Sequence, residues 1–242
     1  MVMLKKYNEW KESLPGVLAT ILDWVEIFVI AAAIALFMNN VIIANSQVPT
    51  GSMETTIEIG DRVIGSRLAY TFGEPKRGDV AIFKFGWKCN VCRYAMGEAP
   101  APEICPYCGQ KITHPQTVYY VKRVIGLPGD VIEIKADGTC AQTDIVSEAK
   151  ESVVLSGTDA SRPLVTAAVY VNGEKLTEDY LREPMLYTGD MRFEVPADSY
   201  FLMGDNRNNS LDARFWNNHY IAKEKMIAKV LFRYWPGIKA VK

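Results

Sequence analysis

A long apolar run near the N-terminus is the strongest feature of the hydrophobicity pattern. Every residue from Ile27 to Met38 is apolar, and the wider stretch from Trp24 to Ile43 holds only three clear polar residues. A helix needs about 20 predominantly apolar residues to cross the hydrocarbon core of a bilayer. The pattern therefore predicts a single transmembrane helix within residues 17–44.

The charges around this run predict its orientation. Lys5, Lys6 and Lys11 precede it, whereas no Lys or Arg follows it until Arg62. Because positively charged flanks stay in the cytoplasm, residues 1–16 are predicted to be cytoplasmic and residues 45–242 extracytoplasmic. The predicted location is the cell membrane, with one pass of the chain.

Two other interpretations of the run are open. One is a buried core helix, although the length of the run and the preceding lysines disfavour it. The other is a cleaved secretory signal, because Ala44, Asn45 and Ser46 offer small residues at a plausible cleavage spacing.

Beyond residue 57, short β-branched segments alternate with Gly, Pro and Asp, which is typical of strands. Strands are predicted at residues 61–65, 78–83, 119–125, 131–134, 169–176, 201–203 and 230–234. A Pro-Gly-Asp turn predicts a hairpin between the third and fourth of these, and Asn172-Gly173 predicts a strand, a turn and a returning strand in the fifth. Helical periodicity is scarce, so we expect a mainly β fold, an antiparallel barrel-like domain behind one helix.

The composition limits the class of protein and marks one unusual segment. The 242 residues, 49% apolar and 23% charged, suffice for an anchor and one sizeable domain. The net charge of −1 gives no indication of nucleic-acid binding. Residues 139–166 are unusually rich in Ser, Thr, Ala and Asp, and we interpret them as a variable surface insertion.

One serine lies in a turn-forming segment just after the apolar run. Residues 49–57 read Pro-Thr-Gly-Ser-Met-Glu-Thr-Thr-Ile, and the freedom of Gly51 allows the hydroxyl of Ser52 to project into a cleft. An isolated Gly-Ser pair is usually no more than a turn. To act as a nucleophile, the serine requires a group that accepts its proton.

The base for Ser52 would be a histidine or a lysine. The two histidines, His114 and His219, are each more readily explained as surface or structural residues. A lysine serves when burial lowers its pKa and keeps it neutral, and Lys122 is the candidate. Because strand side chains alternate, one of Lys122 and Arg123 is expected to face inward.

Four sequence blocks, in this order, resemble the bacterial type I signal peptidase (leader peptidase) family. They are residues 48–53 (Val-Pro-Thr-Gly-Ser-Met), 77–83 (Arg-Gly-Asp-Val-Ala-Ile-Phe), 122–130 (Lys-Arg-Val-Ile-Gly-Leu-Pro-Gly-Asp) and 204–214 (Gly-Asp-Asn-Arg-Asn-Asn-Ser-Leu-Asp-Ala-Arg). Each alone is modest evidence, but all four behind an N-terminal span make a specific match. The resemblance implies a membrane-bound serine endopeptidase that removes N-terminal signal peptides from secreted pre-proteins.

The resemblance also implies a role for each matching residue. Ser52 matches the nucleophile and Lys122 the general base of a Ser-Lys dyad. Thr50 matches a small hydroxyl residue that helps to bind the oxyanion, and Ser210 matches a serine that orients the lysine. A supporting ion pair is matched by Asp212 and Arg214. No cofactor is implied for catalysis.

The implied partners are secretory pre-proteins and membrane lipid, with no nucleic acid. The family cuts after small residues, typically alanine, one and three positions before the scissile bond. Phe83, Phe85 and Trp87 are interpreted either as a face that touches lipid or as the interior face of a strand.

Four of the five cysteines form two Cys-x-x-Cys pairs in a segment, residues 87–114, where the family varies in length: Cys89 with Cys92, and Cys105 with Cys108. The spacing suits a tetrahedral Cys₄ zinc site, and structural zinc is the favoured interpretation. Two disulfides are the alternative, because an outer compartment is oxidising. The remaining cysteine, Cys140, is interpreted as a structural or free thiol.

Two other functions share features with this chain. Self-cleaving SOS repressors use the same Ser-Lys chemistry, but the chain has a membrane span and no DNA-binding helical domain. A membrane-tethered zinc-ribbon binding module would not need Ser52, Lys122 and Ser210 together.

Overall fold

The computed structural model describes residues 7, 10–11, 13–93, 95–97, 101–146 and 162–241. They fall into two compact units, Met1–Ile43 and Ala44–Lys242. The first contains one long helix, α1 (Gly16–Phe37), which continues as a π-helical turn over Met38–Ile42. None of its residues is buried, and it is long and apolar enough to cross a membrane. A buried core helix is therefore the wrong interpretation of this segment.

The second unit is built mainly from strands. A short helix, α2 (Leu68–Thr71), is its one α-helix among the described residues. In chain order the strands are β1 (Ile43–Gln47), β2 (Arg62–Ser66), β3 (Val80–Lys88), β4 (Ala95–Gly97), β5 (Gln116–Gly126), β6 (Val131–Cys140), β7 (Leu164–Val171), β8 (Glu174–Lys175), β9 (Met191–Glu194), β10 (Ser199–Met203), β11 (Ile221–Ala222), β12 (Met226–Trp235) and β13 (Lys239–Ala240).

These strands form two sheets. The larger has nine strands in the order β1-β2-β12-β3-β5-β10-β11, with β13 beside β12 and β4 beside β3. The smaller has the order β8-β7-β6-β9. The pairs β2–β12, β12–β3, β3–β5 and β5–β10 are antiparallel, as are all three pairs of the smaller sheet. The mainly β, antiparallel class is confirmed, although the sheets do not close into a barrel.

One of the two predicted hairpins is correct. Strands β7 and β8 are joined by Asn172 and Gly173, whose φ angles of 54° and 86° are both positive. Two successive positive φ angles are the signature of a type I′ turn, which matches the twist of a hairpin. The Asn-Gly pair was therefore a reliable local signal.

The hairpin predicted between β5 and β6 is wrong, because the two strands belong to different sheets. At its C-terminal end, β5 already has β3 on one side and β10 on the other, with Leu202 opposite Val124. The intervening turn is closed by the carboxylate of Asp130, which accepts from the N–H of Leu127 at 2.6 Å and from Arg77 at 3.0 Å. This turn sends the chain into the second sheet.

A shared apolar core joins the two sheets. It includes side chains of β3, β5 and β10 in the larger sheet and of β6, β7 and β9 in the smaller one. Phe83 and Phe85 belong to this core and are 0% and 8% exposed. Phe85 stacks on Tyr120 with ring centroids 4.4 Å apart. Trp87 is buried in a separate cluster beside the cysteines. The lipid-facing interpretation of these three residues is therefore wrong.

The ends of the predicted insertion at residues 139–166 continue the smaller sheet. Thr139 is paired with Val165 and Cys140 with Leu164. Residues Gln142–Asp144 then form a single 3-10 turn. The centre of the insertion, residues 147–161, lies outside the described residues.

Candidate active site

The candidate nucleophile lies in a tight turn at one side of a cleft. Residues Gly51–Met53 form a 3-10 turn, entered from an extended Thr50 with φ −132° and ψ 152°. The backbone N–H of Asn206 donates to the carbonyl of Ser52 at 3.1 Å. Its side-chain amide donates to the carbonyl of Gly51 at 3.0 Å. Two hydrogen bonds from one asparagine thus fix the backbone on which the Ser52 hydroxyl stands.

The candidate base projects from β5 into the protein interior. The amine of Lys122 is buried and donates a hydrogen bond of 3.1 Å to the hydroxyl of Ser210. Burial disfavours the ammonium form and lowers the pKa of Lys122 to about 8. The negative charge of Asp212 opposes this change, whereas the positive charge of Arg214 adds to it.

Both groups line one cleft of about 540 Å³. One wall is formed by residues 46–53, which include Thr50 and Ser52. The lining also includes Thr117 to Lys122 of β5 and Lys88 at the end of β3. An extended peptide in this cleft would meet the serine and the lysine together.

An ion pair supports the loop that carries Ser210. The guanidinium of Arg214 donates to both carboxylate oxygens of Asp212, at 2.8 and 2.9 Å. Asp212 also accepts from the N–H of Gly204 at 3.0 Å. Burial alone would raise the pKa of Asp212, but Arg214 and these hydrogen bonds hold it below its usual value. The carboxylate therefore stays charged and keeps the loop closed.

The model of the family described as "Signal peptidase, peptidase S26" matches residues 21–235. The chain belongs to this family.

Proteins with this activity in their names are similar over most of the chain. A signal peptidase I from Leptolyngbya laminosa is 25% identical over 224 residues, which cover 93% of this chain and 84% of that one. A probable signal peptidase I-2 from Synechocystis sp. is 26% identical, covering 97% and 81%. A crystal structure of a signal peptidase I from Enterococcus faecalis matches with a TM-score of 0.35, at 22% identity, covering 64% and 96%.

Family membership makes the chain a peptidase. It thereby excludes the two other functions considered, a self-cleaving SOS repressor and a zinc-ribbon binding module. The structure gives the histidines no place in the cleft lining. His114 is exposed. The Nδ1 atom of His219 is hydrogen-bonded to the carbonyl of Ala213 at 2.6 Å, and its ring packs on Phe193. In this signal peptidase, His114 is thus a surface residue and His219 is a packed, hydrogen-bonded one.

The expectation that only one of Lys122 and Arg123 faces inward is wrong. They point to opposite faces of β5, and both are buried, at 4% and 2% exposure. Arg123 donates to both carboxylate oxygens of Asp205, at 2.8 and 2.7 Å. The ring of Tyr180 covers its guanidinium at 3.9 Å. Because the peptidase covers both faces of β5, alternation along the strand did not separate an inner residue from an outer one.

Three residues that shape the candidate site were given no role by the sequence interpretation: Gly204, Asp205 and Asn206. A Cβ atom at Gly204 would overlap the Ser210 hydroxyl and the Ser52 carbonyl. Only glycine therefore lets the turn of Ser52 and the loop of Ser210 approach each other. All three residues open the fourth sequence block, so their signal was present in the motif without an assigned role.

The four clustered cysteines lie together, apart from the cleft lining. Their sulfur atoms are all within 4.8 Å of one another. The separations are 3.9 Å for Cys89 to Cys108 and 3.8 Å for Cys92 to Cys105. A hydrogen bond from the backbone of Cys92 lowers the pKa of the Cys89 thiol to about 7. This hydrogen bond therefore favours the thiolate form of Cys89, which is the form that binds metals.

Proposed function

We propose that this signal peptidase cleaves signal peptides from secretory pre-proteins with Ser52 as nucleophile and Lys122 as general base. The observation that carries the proposal is the burial of Lys122, which lowers its pKa to about 8, on the same cleft as Ser52. A neutral lysine is the form that accepts the proton of a serine hydroxyl.

The reaction then runs in two halves. Lys122 takes the proton of Ser52 while the serine oxygen attacks the scissile carbonyl carbon, and a tetrahedral intermediate forms. The lysine ammonium gives the proton to the leaving nitrogen, so the C–N bond breaks and an ester on Ser52 remains. Lys122, neutral again, takes a proton from water, and the hydroxide formed attacks the ester. The proton then passes to the Ser52 oxygen as it leaves.

The negative oxygen of the intermediate needs hydrogen-bond donors. The N–H of Ser52 is placed at the start of a 3-10 turn, where backbone donors have no acceptor within the turn. Thr50 lies on the same cleft and adds its hydroxyl. We assign these two groups to the oxyanion.

Three residues position the dyad without touching the substrate. Ser210 holds the amine of Lys122, and the Asp212–Arg214 pair holds the loop of Ser210. Small residues one and three positions before the cut follow from the family resemblance, with larger ones rejected by steric exclusion.

The chain is membrane-associated through α1, and we propose that the peptidase domain lies on the extracytoplasmic side. The lysines before the helix support this orientation. For lipid contact we propose the β12–β13 turn, where Trp235 and Ile238 are 61% and 86% exposed. Lys239 of the same hairpin donates to the carbonyl of Thr55 at 3.4 Å, close to the nucleophile turn. Protease added to spheroplasts should digest the domain, and full protection of the domain would show that the proposed orientation is wrong.

For the four cysteines we propose one structural zinc ion. Four thiolates at about 2.3 Å from a tetrahedral zinc ion lie about 3.8 Å apart, which agrees with the separations of 3.9 Å for Cys89 to Cys108 and 3.8 Å for Cys92 to Cys105. A disulfide requires about 2.05 Å. The buried indole N–H of Trp87, in the same cluster, has no partner among the described residues, and thiolate sulfur is a natural acceptor for it.

The decisive experiment is cleavage of a secretory precursor by the purified full chain in detergent. Ser52→Ala and Lys122→Ala are each expected to abolish cleavage, whereas Cys140→Ser, on the smaller sheet, should retain it. Unchanged cleavage by Ser52→Ala would reject the proposed nucleophile. Metal analysis of the same preparation should give about one zinc per chain, lost in Cys89→Ser. Two disulfides without metal would reject the zinc site.

A further inference from the structure

The two halves of β5 are held in different ways. At its inner end, Arg123 has Val80 of β3 on one edge and Met203 of β10 on the other, and β10 also pairs with Val124 and Gly126. Its outer half, residues 116–122, pairs with β3 alone among the described strands. Within the described part of the chain, this outer half therefore has one edge of backbone N–H and C=O groups without a strand partner, and such an edge is a template for an added strand.

This free edge is a wall of the cleft. The lining includes every residue from Thr117 to Lys122, together with residues 46–53. At about 3.3 Å per residue, six strand residues extend about 17–20 Å from the dyad. A substrate chain that follows the edge is therefore contacted well beyond the bond that is cut.

The cysteine cluster lies at the end of the β3–β5 hairpin that is farther from Lys122. Cys89 directly follows Lys88, which is the Cα partner of Gln116 and lines the cleft. Trp87, the partner of Thr117, packs in the apolar cluster with Cys89, Cys105 and Ile112. Through Trp87, the cluster therefore contacts β3 at the position that is paired with Thr117, the outermost β5 residue of the cleft lining.

We propose that the metal held by the four cysteines sets substrate selection: it keeps the outer half of the β3–β5 hairpin in place, and so maintains the part of the cleft that binds substrate residues distant from the cut. This inference rests on the proposed function and on the zinc site. Apart from its cysteines, the cluster has few buried apolar side chains in the described part of this segment. They are too few to hold the 27 residues between Lys88 and Gln116 without a further link. A bound metal supplies that link.

The effect is confined to the outer half because the dyad is held separately. Lys122 is fixed by Ser210, and its neighbour Arg123 by the buried pair with Asp205. The turn of Ser52 is fixed by Asn206. None of these contacts involves the cysteine segment. Loss of the metal should therefore weaken the binding of long substrates and leave the chemical step intact.

The test compares a long peptide, with at least six residues on each side of the cut, with a short peptide that has three residues before the cut and two after it. A Cys105→Ser/Cys108→Ser variant is matched with Cys140→Ser, and zinc content is measured for both. For the double variant we expect the KM of the long peptide to rise about tenfold with kcat changed by less than about twofold, and kcat/KM of the short peptide unchanged. Cys140→Ser should match the parent chain.

Two further arms complete the experiment. Removing zinc from the parent chain with a chelator should reproduce the defect, and adding zinc alone should reverse it. Tyr119→Ala keeps all four cysteines but removes a half-exposed side chain from the cleft wall, and it should raise the KM of the long peptide alone. Equal losses for both peptides, or no loss after zinc removal, would overturn the inference. Either result leaves the proposed function intact, since that is tested separately by Ser52→Ala and Lys122→Ala.

Discussion

The amine of Lys122 lies 3.1 Å from the hydroxyl of Ser210, and 88 residues of chain separate the two. The contact joins β5 to the loop that also carries Asp212 and Arg214. It aims a buried amine into the cleft that contains Ser52. A flexible lysine side chain is thereby held in one orientation, which is what a general base requires.

Removal of this contact should affect the chemical step more than substrate binding. We expect Ser210→Ala to lower kcat about 10- to 100-fold with little change in KM, because Lys122 loses its orientation while the cleft walls stay in place. The acid limb of the pH profile should remain near pH 8, since burial, and not this hydrogen bond, is the first cause of the lowered pKa. Steady-state kinetics across pH would measure both, and a rise in KM alone would contradict the assigned role.

Gly204 should tolerate no side chain. A Cβ atom there overlaps both the Ser210 hydroxyl and the Ser52 carbonyl, so the turn and the loop must separate. We expect Gly204→Ala to lose most activity and about 1–3 kcal/mol of stability. Gly237→Ala is the matched control, because a Cβ atom at Gly237 meets nothing within 4 Å. Similar behaviour of the two variants in thermal unfolding and cleavage would show that the close approach is unimportant.

The buried lysine should also make stability depend on pH. The pKa of Lys122 is about 8 in the folded chain and 10.5 as a free side chain. Between these values the unfolded chain binds more protons, so the free energy of unfolding rises with pH. Relative to Lys122→Met, which has no such group, the wild type should gain about 2–3 kcal/mol between about pH 7.5 and pH 10. Denaturant unfolding of both chains in detergent measures the difference, and a gap that is constant with pH would show that the lysine is not buried.

Substrate choice should follow side-chain size at two positions. Replacing alanine with phenylalanine one or three residues before the cut is expected to remove most cleavage, because a pocket that excludes bulk selects by repulsion. A peptide series with alanine or phenylalanine at each position provides the measurement. Equal kcat/KM values across the series would contradict selection by side-chain size at these two positions.

Local signals in the sequence were sufficient for most of the fold. The apolar run predicted α1, and β-branched runs between turn residues predicted most of the main strands. Asn172-Gly173 identified its hairpin because the two positive φ angles are a local property. The partner of β5 could not be predicted in the same way. That choice depends on β10, about 75 residues further along the chain, which occupies the edge that β6 would have taken.

The candidate site, too, could be predicted from local signals only in part. The motifs predicted Ser52 and Lys122 as the catalytic pair, which stays a prediction, and burial of both faces of β5 depends on what each face packs against. Lys122 and Arg123 therefore had to be located in three dimensions. The role of Gly204 is likewise a distance between two distant segments. From the sequence, Phe83 and Phe85 could lie on the surface or in the core. They are buried because the smaller sheet packs on the larger one.

The pH dependence of kcat/KM, measured together with substitutions of the candidate bases, tests the Ser-Lys mechanism most directly. The account predicts an acid limb near pH 8 that reports Lys122 in the free enzyme. Lys122→Arg should be inactive, because arginine stays protonated across the accessible range, and a chain with both His114 and His219 replaced should keep nearly full activity and the same limb. A dead histidine double variant, alongside a Lys122→Ala enzyme that still cleaves, would contradict the mechanism.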